Sequence, residues 1–105
     1  TQLILLQQQA AAVHAAPALF NYLQNLIEKT RNSPEFVHGL SPRAALALLA
    51  AARAWAFIHS RAMVLPEDVQ AVFPSVAAHR LRLTQGSGHA QHDDMIRLLH
   101  SVPVL

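Results

Sequence analysis

One residue in this chain is placed against its own electrostatics. In Gly39-Leu40-Ser41-Pro42-Arg43, Ser41 suits a helix N-cap, because its hydroxyl can accept from an orphaned backbone N–H. Pro42 fits the first helical position. Arg43 then sets a cation in the first turn, where the helix dipole is already positive and disfavours it by roughly 0.3–1 kcal/mol. Two readings stand open on local physics: a solvated arginine that tolerates the position, or a guanidinium placed to meet an anion at a helix N-terminus.

The remaining chemistry-bearing residues are sparse. Glu67-Asp68 and Asp93-Asp94 are carboxylate pairs, but adjacent residues point to different sides of a helix, and capping of a first turn accounts for both. His89 and His92 are three apart in a Gly/Ser-rich stretch, where a solvated pair is the ordinary outcome and no metal site is expected. Ser41 has no accompanying His/Asp constellation, so no catalytic residue is expected. There is no cysteine, hence no disulfide, thiolate metal site or thiol nucleophile. No G-x-x-x-x-G-K-[ST] loop occurs and no apolar strand ends in paired acids, so this chain alone should not hydrolyse a nucleotide. Arg53, Arg61, Arg80 and Arg82 are spread over several elements without interleaved exposed aromatics, which makes nucleic acid an unexpected partner.

Those residues must be positioned by helices. Nine apolar residues run from Ala44 to Ala52, then Arg53, then Ala54-Trp55-Ala56-Phe57-Ile58. This predicts a helix over 42–58, apolar almost all round and therefore buried by its neighbours. Its small side chains suit close packing, with axes nearer than the usual spacing of about 8–10 Å. Residues 1–12 read as a helix without a breaker, and Pro17 forces a short extended link before the next. Leu19, Phe20, Leu23, Leu26 and Ile27 recur at helical spacing until Asn32-Ser33-Pro34 stops the pattern. Residues 35–39 read as a loop in which Gly39 serves a sharp backbone turn. Pro66-Glu67-Asp68-Val69 opens another helix that Pro74 should interrupt, with 75–81 continuing as helix or turn. Residues 84–92 form a flexible link, and Asp93-Asp94 opens a last helix over Met95, Ile96, Leu98 and Leu99.

The predicted fold is therefore all-α: a small bundle of about five helices with at most a minimal β contact between the Val13 and Val64 regions. At 105 residues, 52% hydrophobic and 13% charged, the chain can bury one modest core. Its net charge of +2 is a weak bias. No signal peptide is visible, and 42–58 is shorter than the ~20 residues of a membrane span. A soluble, cytoplasmic protein without membrane attachment is the expectation. The start at Thr1, without methionine and inside a helical pattern, suggests a piece of something larger.

Longer motifs carry a family resemblance. Gly39-Leu40-Ser41-Pro42-Arg43-Ala44-Ala45-Leu46-Ala47-Leu48-Leu49, followed by Ala51-Ala52-Arg53-Ala54-Trp55-Ala56, resembles the lid-domain signature of MoxR-type AAA+ ATPases. Val64-Leu65-Pro66-Glu67-Asp68-Val69-Gln70-Ala71-Val72 and Ala78-His79-Arg80-Leu81 follow in the same order and spacing. Val13-His14, Leu19-Phe20-Asn21-Tyr22-Leu23, Thr30-Arg31 and the ending Met95-Ile96, Leu98-Leu99, Ser101-Val102-Pro103-Val104 are also similar, so the likeness spans 1–105 as one lid domain. Two departures stand out. Val13-His14-Ala15-Ala16 replaces a more β-branched strand, and the glycine-rich 84–92 link is looser than the family's.

The resemblance implies that this lid packs over ATP and Mg²⁺ held by an α/β ATPase core of the same chain. It implies that Arg43 is the sensor-2 arginine that reaches the terminal phosphates, with Ser41 and Pro42 fixing the helix start that aims it. Such ATPases act as chaperones in the maturation of partner complexes, often beside von Willebrand factor A-type proteins, and form homo-oligomeric rings, commonly hexamers. The rival from another class is a helical DNA-binding or protein-interaction module without nucleotide chemistry. Salt-dependent binding of duplex DNA, with a slope reporting several phosphates, would favour that rival. A lid separated from its core should also expose apolar surface.

Overall fold

The computed structural model describes residues 2–34, 36, 39–78, 80, 81 and 92–104. Five α-helices follow one another: α1 Gln2–Ala11, α2 Pro17–Asn32, α3 Pro42–Ile58, α4 Pro66–Ala77 and α5 His92–Ser101. Three of these starts are written by proline. Pro17, Pro42 and Pro66 each stand in the first turn, where a missing N–H costs no helical bond. Pro34 ends α2 by pushing Ser33 into the extended region, at φ −80° and ψ 128°. The fold is all-α, as the apolar periodicity predicts. Among the described residues the β structure includes an isolated parallel bridge between His14 and Met63 and no extended strand. Its hydrogen bonds run from His14 N–H to Ala62 O at 3.1 Å and from Val64 N–H to His14 O at 2.8 Å. The glycine-rich segment 84–91, including His89, lies outside the described residues, as do the His92 side chain, Arg82, His79 and most of the 35–38 loop.

Helix α3 is the axis of the bundle. It packs most extensively on α4 and also meets α1 and α2, while α5 lies against α4 and α2. Ala44, Leu48, Leu49, Ala52 and Ala56 are its buried residues, and the three alanines let neighbouring helices come in close. Opposite them lie Leu23, Leu26 and Ile27 of α2 and Val69 and Phe73 of α4, and Met95 and Leu98 of α5 extend the same buried core. Burying each such large side chain contributes about 1.5–3 kcal/mol.

The expectation that α3 is buried all round is corrected. Leu46 is 70% exposed and Ile58 73%, with Trp55 also partly open. Among the described residues, α1, α2 and α4 are the helices that meet this one, and they leave a strip of its circumference exposed. Helix α1 buries no residue, and Leu3, Ile4, Leu5 and Leu6 are all about half exposed or more. The expected apolar surface is thus present, concentrated on α1 and the outer strip of α3.

Pro74 is a second correction. Helix α4 runs through it to Ala77 rather than breaking. A mid-helix proline costs ~3 kcal/mol through a lost hydrogen bond and a ring clash. Here Phe73, Ala77 and Leu81, on either side of the proline, are completely buried, and that packing holds the chain helical. Ala78 N–H donates to Pro74 O at 3.1 Å, so the ladder resumes at once.

The acids of Glu67-Asp68 divide as the capping reading requires. Asp68 is fully buried; its Oδ2 accepts from Leu65 N–H at 2.7 Å and its Oδ1 pairs with the Arg61 guanidinium. Tyr22, also buried, accepts at its hydroxyl from Gln70 Nε2 at 3.2 Å. Burial pushes the Tyr22 phenol above its usual pKa, against the opposing effect of that hydrogen bond. Among the described residues, no helix is long and apolar enough to cross a membrane.

Candidate functional site

The start of α3 is anchored on the end of α2, and the anchoring begins with a threonine. Thr30 continues the buried face of α2 one turn beyond Ile27, and it is fully buried. Its hydroxyl donates to Ile27 O at 2.6 Å and accepts from Leu40 N–H at 2.9 Å, so both of its hydrogen-bonding roles are filled. The next residue, Arg31, donates from Nε to Leu40 O at 3.1 Å. Both main-chain polar groups of Leu40 are therefore held by two consecutive residues of α2, and the Leu40 side chain is itself buried.

Gly39 lies flush against the same turn. A Cβ built there would come within 2.6 Å of Arg31 N and closer still to Arg31 Cα and Cγ. Its φ lies outside the left-handed region, so the sharp-turn role expected of Gly39 is corrected: glycine is needed here for close approach, not for conformational freedom.

From Leu40 onward the chain enters the helix without slack. Ser41 is extended, at φ −80° and ψ 164°, and its Oγ accepts from Ala44 N–H at 3.2 Å. Pro42 occupies the first turn, and no acid accompanies it there. Arg43 follows on an exposed position. Among the described residues, none hydrogen-bonds or pairs with its guanidinium. Ser41, Pro42 and Arg43 are thus brought together as their spacing predicts: a cap, a rigid start, and a cation at the positive end of a capped helix. A guanidinium fork and exposed first-turn N–H groups are both donors to oxyanions, and bidentate contact favours the planar group.

Beside this point an apolar groove of about 290 Å³ runs between α2 and α3. Phe20, Leu23 and Ile27 form one wall, Leu46 and Leu49 the other, and Arg31 and Pro42 stand at the end nearest Arg43.

The other chemistry-bearing residues do not converge. Asp93 and Asp94 occupy the first turn of α5, where Asp94 pairs with Arg97. Arg61 is committed to Asp68, and Arg80 donates to Val76 O at 2.6 Å. Two of the four arginines that could have formed a nucleic-acid face are therefore tied to the protein's own groups. Among the described residues, no group of three or more His, Cys, Asp or Glu side chains could hold a metal ion. Sequence reasoning missed Thr30 and Arg31 as parts of the site. The available signal was a hydroxyl at the i+3 position from Ile27, on the buried stripe of an otherwise ordinary helix.

Comparison with known proteins adds an independent line. The AAA lid domain family model matches residues 28–98. The uncharacterized protein YeaC of Bacillus subtilis is 38% identical over 80 residues, covering 76% of this chain and 25% of that protein. The chaperone MoxR1 of Mycobacterium tuberculosis is 37% identical over 91 residues, covering 78% and 24% respectively. A crystal structure of a candidate ATPase from Cytophaga hutchinsonii superposes with a TM-score of 0.81 at 27% identity, over 91% of this chain and 33% of that one. The chain spans about a quarter of the length of the curated relatives it matches.

Proposed function

Because this chain belongs to the AAA lid domain family and is a lid of the MoxR-type AAA+ ATPases, we propose that it closes over a nucleotide and senses its phosphates through Arg43. The observation that carries the reading is the exposed guanidinium of Arg43, without a partner among the described residues, at the N-terminus of a serine-capped helix that has no first-turn acid. A cation left there without an anion is electrostatically misplaced; a phosphate oxygen supplies the anion.

In this proposal the α/β core belongs to the same longer chain and would hold ATP, the source of the scissile phosphoryl group, with Mg²⁺ to neutralise phosphate charge. The donor set of the lid fits the phosphate end: a planar guanidinium and first-turn N–H groups, with Ser41 and Pro42 fixing the direction of both. The apolar groove at the same end of α2 and α3 offers surface that closure can bury. Arg43 engages or releases the phosphate charge as its state changes, and the rigid α3 converts that into movement of the lid. The exposed apolar strip on α1 and α3 is covered by the core. Ring assembly, chaperone-like maturation of partner complexes, von Willebrand factor A-type partners and a cytoplasmic location extend the same reading. Its support is likeness to relatives of which one is named a chaperone.

The test is steady-state ATP hydrolysis by the full-length ATPase carrying this domain. Arg43→Ala lowers turnover by roughly 10²-fold, the scale for removing one preorganised donor, while the circular dichroism of the lid is unchanged. Turnover within twofold of wild type sinks the assignment.

A further inference from the structure

The guanidinium of Arg43 is three residues past Leu40, whose N–H and C=O are both held by α2. Thr30 and Arg31 take the N–H and the C=O of Leu40, at 2.9 and 3.1 Å. Neither contact is required to form either helix. Helix α2 ends at Ser33 through Pro34, and α3 is capped by Ser41 without them. Nor do they fill the core, which Leu40 reaches with its own side chain. What they do fix is the height and rotation at which the chain enters α3, and hence where its first turn points. Gly39 lets this turn lie directly on α2, so the two helices cannot shift here without breaking the pair of bonds.

We propose that Thr30 and Arg31 are positioning residues for Arg43, a two-point clamp on Leu40 that couples the end of α2 to the aim of the phosphate-sensing arginine. The inference rests on the reading of Arg43 as phosphate-sensing and goes beyond it by assigning which residues set its geometry. Thr30 is completely buried and cannot touch a nucleotide, so any effect it has on turnover must pass through another residue. Movement of α2 against the rest of the bundle reaches Arg43 through one locked residue and one cap, with no flexible segment between.

A double-mutant cycle in the full-length ATPase tests this. Thr30→Val keeps the volume of the side chain and removes the hydroxyl, and Arg31→Met keeps the stem and removes the guanidinium. Each is expected to lower ATP turnover about tenfold in the wild-type background and by less than twofold when combined with Arg43→Ala, because the clamp acts only through that residue. Thr30→Ser, which restores the hydroxyl, returns turnover to within twofold of wild type. Losses that add to that of Arg43→Ala, single-variant turnover equal to wild type, or failure of Thr30→Ser to restore turnover each overturn the positioning role. An inert Arg43→Ala is a separate result: it overturns the phosphate-sensing reading itself, and the clamp with it.

Discussion

The contact between Gly39 and α2 makes a stability prediction that is large and local. In Gly39→Ala the new methyl carbon must occupy space within 2.6 Å of a backbone nitrogen of Arg31, against ordinary contact of 3.4–4 Å. Backbone of a packed helix cannot rotate aside as a flexible side chain can, so the connection must retreat from α2 by about 1 Å. Leu40 hydrogen bonds that start at 2.9 and 3.1 Å then pass beyond about 3.5 Å, where they cease to be hydrogen bonds. The Leu40 N–H is buried, and leaving such a group unsatisfied costs about 1–3 kcal/mol, while the Thr30 hydroxyl keeps its bond to Ile27 O. Overpacking that stays in place instead costs a similar ~1–3 kcal/mol. The sum of partial relaxation and partial loss is about 2–4 kcal/mol, from a total of ~5–15 kcal/mol for a domain of this kind. That corresponds to a fall in Tm of roughly 10–25 °C. Urea denaturation followed by circular dichroism measures it, with an unchanged m value showing that the unfolded state is not responsible. A Gly39→Ala protein within 0.5 kcal/mol of wild type would refute the close-approach argument.

Other perturbations follow from separate features. Ser60 has φ 61° and closes α3 in a Schellman arrangement, with Ser60 N–H on Phe57 O and Arg61 N–H on Ala56 O. Ser60→Gly should raise stability by about 0.5 kcal/mol, relief of left-handed strain exceeding the added unfolded-state entropy, whereas Ser60→Val should lower it by more than ~1 kcal/mol; paired urea titrations decide. Asp68→Ala removes the partner of Arg61 and the acceptor for Leu65 N–H, and should cost about 2–4 kcal/mol, below the full buried-pair penalty because Arg61 still reaches water. Asp68→Asn, which can keep an acceptor for Leu65, should cost less, and thermal melts rank the two. Leu3→Gln combined with Leu6→Gln should reduce self-association and dye binding while changing stability by less than about 0.5 kcal/mol, since α1 buries none of its residues. Light scattering of the 105-residue chain reads this, and a clean wild-type monomer at high concentration would count against a large patch.

How legible this was depended on whether the determinant was local. The three helix starts at Pro17, Pro42 and Pro66, the cap at Ser41 and the stop at Ser33-Pro34 are set by nearest neighbours, and they stand where the residues predict. The brevity of the extended segments near Val13 and Val64 was local and legible, and it limits their pairing to a minimal bridge. Pro74 shows the limit. Its local preference is to break a helix, and burial of Phe73 and Ala77 by distant elements overrules it. The exposure of Leu46 and Ile58 shows another, since an apolar run indicates that a surface wants covering, not which part of the chain covers it. Arg43 was legible as an oddity of one helix turn. Thr30 and Arg31 were not, because their roles arise from contacts nine and ten residues away in sequence, across a loop whose path sequence does not fix.

The most direct measurement of the central claim is a distance. In a structure of the full-length ATPase with a non-hydrolysable ATP analogue and Mg²⁺ bound, the Arg43 guanidinium should lie about 2.7–2.9 Å from a terminal phosphate oxygen, with Leu40 still held by Thr30 and Arg31. An Arg43 that points to solvent in the closed state, with the phosphates contacted only by other residues, would contradict the account.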